Sequence, residues 1–109
     1  MSELLRDFEL EIRKFEARFE RFMDKDRELV NALKEFIDQL KLAFEELKEA
    51  KPRGGYEGTR PLELRSKVIK AFNDVLLKKA EVEHEGSHLL ESFGSVLLAL
   101  DRTLSSEVE

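Results

Sequence analysis

Residues 5–47 read LRDFELEIRKFEARFERFMDKDRELVNALKEFIDQLKLAFEEL, and this stretch decides the fold. Apolar side chains recur at alternating spacings of three and four: Leu5, Phe8, Ile12, Phe15, Phe19 and Phe22, then Leu29, Leu33, Phe36, Leu40, Ala43 and Leu47. That period follows one face of an α-helix, and no Gly or Pro interrupts it. One position in the series is polar, Asp26. Asp24 or Asp26 has the chemistry of an N-cap for a fresh helix. The 3-4 phase nevertheless passes through Met23–Glu28 without a slip, which a turn would rarely preserve. The spacing therefore predicts one helix within about residues 2–50, of roughly 45 residues and about 68 Å at ~1.5 Å per residue.

With Leu5 as heptad position a, the d positions are Phe8, Phe15, Phe22, Leu29, Phe36 and Ala43. The e positions change along the helix, from Glu9 and Glu16 to Met23, Val30, Ile37 and Phe44. Polar e positions suit a single partner helix, whereas apolar a, d and e together need a wider, bundle-like contact. The second half of this helix is thus expected to touch two neighbours.

Working outward, the run Lys51-Pro52-Arg53-Gly54-Gly55-Tyr56-Glu57-Gly58-Thr59-Arg60 breaks the pattern, and Pro61 follows it. It reads as a loop over residues 51–60, with proline in the first turn of the next helix. Arg53-Gly54-Gly55-Tyr56 resembles an RGG-type nucleic-acid element in a single copy; the flexible-loop reading is preferred. The second helix is expected over about residues 61–104. Its candidate core positions are Leu62, Ile69, Phe72, Leu76, Leu90, Phe93, Leu97, Leu100 and Leu104, beside a second stripe of Val68, Val75, Val82, Leu89 and Val96. Gly86 costs ~1 kcal/mol inside a helix and Ser87 can cap a new start, so a kink or split is expected near residue 86. Residues 105–109 are expected to fray.

The fold class is then all-α, a single domain over residues 1–109 built as a long antiparallel helical hairpin. Facing residue numbers should sum to about 109, which sets Phe36 at the level of Phe72–Leu76 and Phe19 at the level of Leu90–Phe93. It also sets Asp26 at the level of Glu83, His84 and Glu85. Two helices alone cannot cover both apolar stripes, so the hairpin is expected to pair with another copy, or with another helical protein, as a four-helix bundle.

Composition narrows the functional classes. There is no Cys, so disulfide and thiolate chemistry are out. The longest apolar run, Val96–Leu100, spans five residues, against the ~20 of a membrane helix. The start of the chain lacks a signal peptide's basic and apolar regions, so no membrane partner and a cytoplasmic location are expected. Eighteen Glu against two Asn and one Gln is a bias shared with proteins of hot environments. The net charge of −5 is uneven: residues 51–80 carry 8 basic and 3 acidic side chains, and residues 81–109 carry 1 and 7. Lys51, Arg53, Arg60 and Arg65 are thus candidates for binding an anionic partner such as nucleic acid. Self-complementary pairing of the segments is the preferred explanation of the asymmetry.

The sharpest chemical suspicion lies in Glu81-Val82-Glu83-His84-Glu85-Gly86-Ser87-His88, which holds both histidines. On a helix, His84 and His88 share a face and can grip one divalent metal. His84-Glu85-Gly86-Ser87-His88 matches the H-E-x-x-H pattern and over those five residues resembles zinc metallopeptidases. That resemblance implies Zn held by His84 and His88 with Glu85 as catalytic general base; its third ligand is missing, Glu107 and Glu109 lying in the tail. The pairs Glu81/His84 and Glu85/His88 are similar to the Glu-x-x-His pairs of ferritin-like bundles, which implies a dinuclear Fe or Mn site with Asp26 as a further carboxylate. Without metal, either Asp26 and His84 form a buried polar layer that pins register, or the histidines lie on the solvent face with the glutamates. The preferred reading is a non-enzymatic helical interaction module that needs no cofactor. A divalent-metal protein and an anion-binding adaptor are the alternatives.

Overall fold

The computed structural model describes residues 3–50 and 60–108, and the side chains of residues 3–49 and 62–106. All the described residues lie in two helices, α1 (Glu3–Ala50) and α2 (Arg60–Val108), which pack against each other as an antiparallel hairpin. The expected loop lies outside the described residues. Helix α1 is unbroken through Met23–Glu28, as its phase requires. Acidic Glu3 begins it and Lys48 stands in its last turn, the signs that oppose the helix dipole.

Helix α2 differs from expectation at two places. It passes through Gly86 without a break, and it continues past Leu104 to Val108. Ser87 caps nothing: its hydroxyl donates to the Glu83 carbonyl one turn back at 3.2 Å, a mid-helix bond. Gly86 sits against the Phe22 ring, to which a Cβ would come within 3.5 Å. Packing against that ring holds the helix together where local propensity is weakest.

The chain packs as two compact units, Met1–Lys25 with Glu81–Glu109, and Asp26–Ala80. In the first unit, Phe15 meets Phe93 at 6.0 Å between ring centroids, and the Thr103 hydroxyl donates to the Ala99 carbonyl at 2.9 Å, with the Leu4 carbonyl of α1 at 3.5 Å. In the second unit, Phe36 meets Phe72 at 5.7 Å. Both rings pack tilted, the geometry that aromatic quadrupoles favour. The paired numbers sum to 108 in both phenylalanine contacts, one short of the expected register.

Which faces meet is the larger correction. Helix α1 presents its d positions Phe8, Phe15, Phe22, Leu29, Phe36 and Ala43 to the seam, flanked by g positions from Leu4 to Glu46. The a positions Leu5, Ile12, Phe19, Leu33, Leu40 and Leu47 stay exposed. At ~100° per residue the buried stripe is turned roughly 60° from the expected a/d centre. Helix α2 correspondingly inserts the stripe taken as secondary, Val68, Val75, Val82, Leu89 and Val96, together with Leu64, Ala71 and Ala99. Leu62, Ile69, Phe72, Leu76, Leu90, Phe93, Leu97 and Leu104, taken as core, are exposed. Size explains the choice. The phenylalanines of α1 interdigitate best with valine, alanine and glycine, which let two helix backbones approach closely. Among the described residues the buried apolar side chains are only Ala32, Leu64, Val75 and Ala99, and none of the large side chains is fully enclosed.

Candidate functional site

Two surfaces bear on function: an exposed apolar strip and the histidine pair of α2. In the first unit the strip comprises Leu5, Ile12, Phe19 and Met23 of α1 with Leu90, Phe93, Leu97 and Leu104 of α2. In the second it comprises Val30, Leu33, Ile37, Leu40, Phe44 and Leu47 with Leu62, Ile69, Phe72 and Leu76. The tilted phenylalanine pairs lie along its edge, for Phe72 and Phe93 touch the seam yet remain about half exposed. In each unit these apolar side chains, sharing a face, go beyond the isolated exposed ones of an ordinary soluble surface.

Charged pairs cross the hairpin where the apolar seam thins. In the first unit Lys25 approaches Glu81 at 3.5 Å, and in the second Lys78 approaches Glu28 at 3.8 Å. Both pairs are partly solvated, so each contributes on the order of 0.2–1 kcal/mol. Their chemistry was hidden in the sequence because the helices carry charge on almost every turn. Continuing the 3-4 series of the g positions is the signal that singles out Lys25. Asp26, expected in a buried layer with His84, is exposed, and so is His84.

His84 and His88 do come together. Their Nε2 atoms lie 3.1 Å apart and the rings meet edge to face, 4.5 Å between centroids. His88 Nδ1 is 3.7 Å from a carboxylate oxygen of Glu91. Around His88 runs a shallow groove of about 540 Å³ lined by Glu11, Lys14, Arg18 and Arg21 of α1 and by Glu91, Ser92 and Ser95 of α2.

The carboxylates that the sequence joins to these histidines go elsewhere. Glu81 is drawn to Lys25. Glu85 is half-buried, and its Oε2 is enclosed without a hydrogen-bond partner. Among the described residues no group of three or more His, Cys, Asp or Glu side chains is placed to hold a metal. The side chains of Glu107 and Glu109 lie outside that description. What the geometry offers is a two-nitrogen bite, short of the three-ligand centre of a metallopeptidase and of a dinuclear carboxylate site.

Of the candidate anion-binding residues, Arg65 is exposed on α2, and the side chains of Lys51, Arg53 and Arg60 lie outside the described ones. Nearby basic residues are interleaved with acids: Lys67 and Lys70 share a groove of about 670 Å³ with Glu35, Asp74 and the exposed leucines Leu42 and Leu77. No described helix is long and apolar enough to cross a membrane. Comparison with protein-family models, curated proteins and solved structures gives no match, so what these residues do rests on their own geometry and chemistry.

Proposed function

We propose that the protein is a helical structural module that self-associates through its exposed apolar strip, two hairpins forming a four-helix bundle. The observation that carries this reading is the exposure of almost every a position of α1, with the bulky leucines and phenylalanines of α2, once the hairpin seam is filled. Surface area supports it. The chain exposes 8580 Å², whereas a compact monomer of 12.7 kDa exposes roughly 6,200 Å². The excess, roughly 2,300 Å² per chain, reflects the long helical hairpin and leaves ample surface for a partner.

The charge distribution favours a second copy as the occupant. The unit containing both chain ends carries 7 basic and 14 acidic residues, the other unit 12 and 10. Setting the net −7 unit of one copy on the net +2 unit of its partner offsets a self-repulsion that a parallel arrangement would double. The antiparallel, isologous pairing is therefore the favoured one.

The test uses variants on and off the strip. Leu33→Glu and Leu40→Glu bury a charge in the proposed interface and are expected to give monomers by light scattering after gel filtration. Leu42→Glu, in the charge-rimmed groove, is expected to keep the wild-type mass. Equal masses for all three, with helical circular dichroism retained, would refute the reading.

A further inference from the structure

The histidine pair is not used by the self-associating module, and its geometry has a chemistry of its own. Two Nε2 atoms 3.1 Å apart, once neither carries a proton, subtend about 95–100° at a metal held at ~2.0–2.1 Å from each. Adjacent equatorial positions of a tetragonal Cu²⁺ ion, or of octahedral Ni²⁺, accept that bite. We propose that His84 and His88 form a bidentate surface site for a first-row transition-metal dication, Cu²⁺ above all, with water completing the coordination.

Helix α2 carries both ligands one turn apart, so little reorganisation accompanies binding and the site does not depend on self-association. In the metal-free pair the 3.1 Å contact is a hydrogen bond when one ring carries its proton on Nε2. Metal binding moves that proton to Nδ1 of the same ring through solvent, and both Nε2 lone pairs become donors. For His88 the Nδ1–H tautomer is favoured because the Glu91 carboxylate lies 3.7 Å from Nδ1. Copper ranks first because affinities at nitrogen sites peak there along the divalent series.

The neighbouring charges set a limit on strength. Lys14, Arg18 and Arg21 face His88 from α1, against Glu11 on that helix and Glu91 on α2. This slightly positive surround and the water-filled positions give a reversible site, weaker than a closed structural one.

Untagged, chelator-free protein is titrated with Cu²⁺ at about pH 7.5 by calorimetry and electron paramagnetic resonance. The expected result is one Cu²⁺ per chain with two equatorial nitrogens, and its loss in His84→Ala and in His88→Ala. Glu81→Gln, whose parent residue is occupied by Lys25, is expected to bind as wild type does. Circular dichroism establishes that each variant is folded. Unchanged binding by both folded histidine variants, or no uptake by wild type at millimolar Cu²⁺, overturns the assignment.

Discussion

Gly86 and Gly94 are open to replacement, since their surroundings leave room for a methyl group. At Gly86 a Cβ makes ordinary contact with Phe22 at 3.5 Å, and at Gly94 it meets nothing within 4 Å. Both lie inside α2, where Gly is about 1 kcal/mol less favourable than Ala. Gly94→Ala is therefore expected to raise stability by up to about 1 kcal/mol in urea titration, and Gly86→Ala to match it or fall slightly short. A loss at Gly86 would mean that the ring needs the bare backbone. Glu85 is the opposite case, since its Oε2 is enclosed without a partner. Glu85→Leu, which continues the apolar seam of Val82 and Leu89, is expected to stabilise by about 1 kcal/mol, read from the same titration. At this scale the sequence was least legible. The weak propensity of Gly86 and the cap-like Ser87 suggested a break, but a phenylalanine more than sixty residues away decides the outcome, and no local pattern records it. Asp26 misled for a related reason: it interrupts a stripe that is apolar but not the one the hairpin buries.

The two helices themselves were plain from periodicity, because 3-4 spacing over residues 5–47 admits no other regular structure. Antiparallel register was also close, one residue from the observed phenylalanine pairs. The face was not legible, because α1 is apolar at a and d along nearly all its length and at e from Met23 onward, and α2 carries two adjoining stripes. Choosing between stripes requires knowing that phenylalanine on one helix packs best against valine and alanine on the other. That choice separates two classes of residue. Phe22 lies in the seam and is half-buried, so Phe22→Ala is expected to cost about 2 kcal/mol, below the 3–5 kcal/mol of a fully buried ring. Phe44 is 62% exposed on the strip. Phe44→Ala is expected to weaken association instead, so its effect on the unfolding midpoint shrinks on dilution, whereas that of Phe22→Ala persists. Unfolding both variants at two protein concentrations separates the cases, and identical dilution behaviour contradicts the division.

For the whole molecule, a hairpin with four buried apolar residues among those described leaves many large apolar side chains more than a third exposed. At about 25 cal/mol per Å² the uncovered area represents a large driving force for association, reduced by the entropy of bringing two chains together. The expectation of a partner rested on the widening e positions, whereas the face that the hairpin leaves exposed on α1 is the one carrying the a positions. Self-association is the central claim, and native mass spectrometry of the untagged protein at micromolar concentration tests it most directly. The account predicts a mass of two chains, with the single chain emerging only on dilution; a single chain across the micromolar range, with its helices intact, would contradict it.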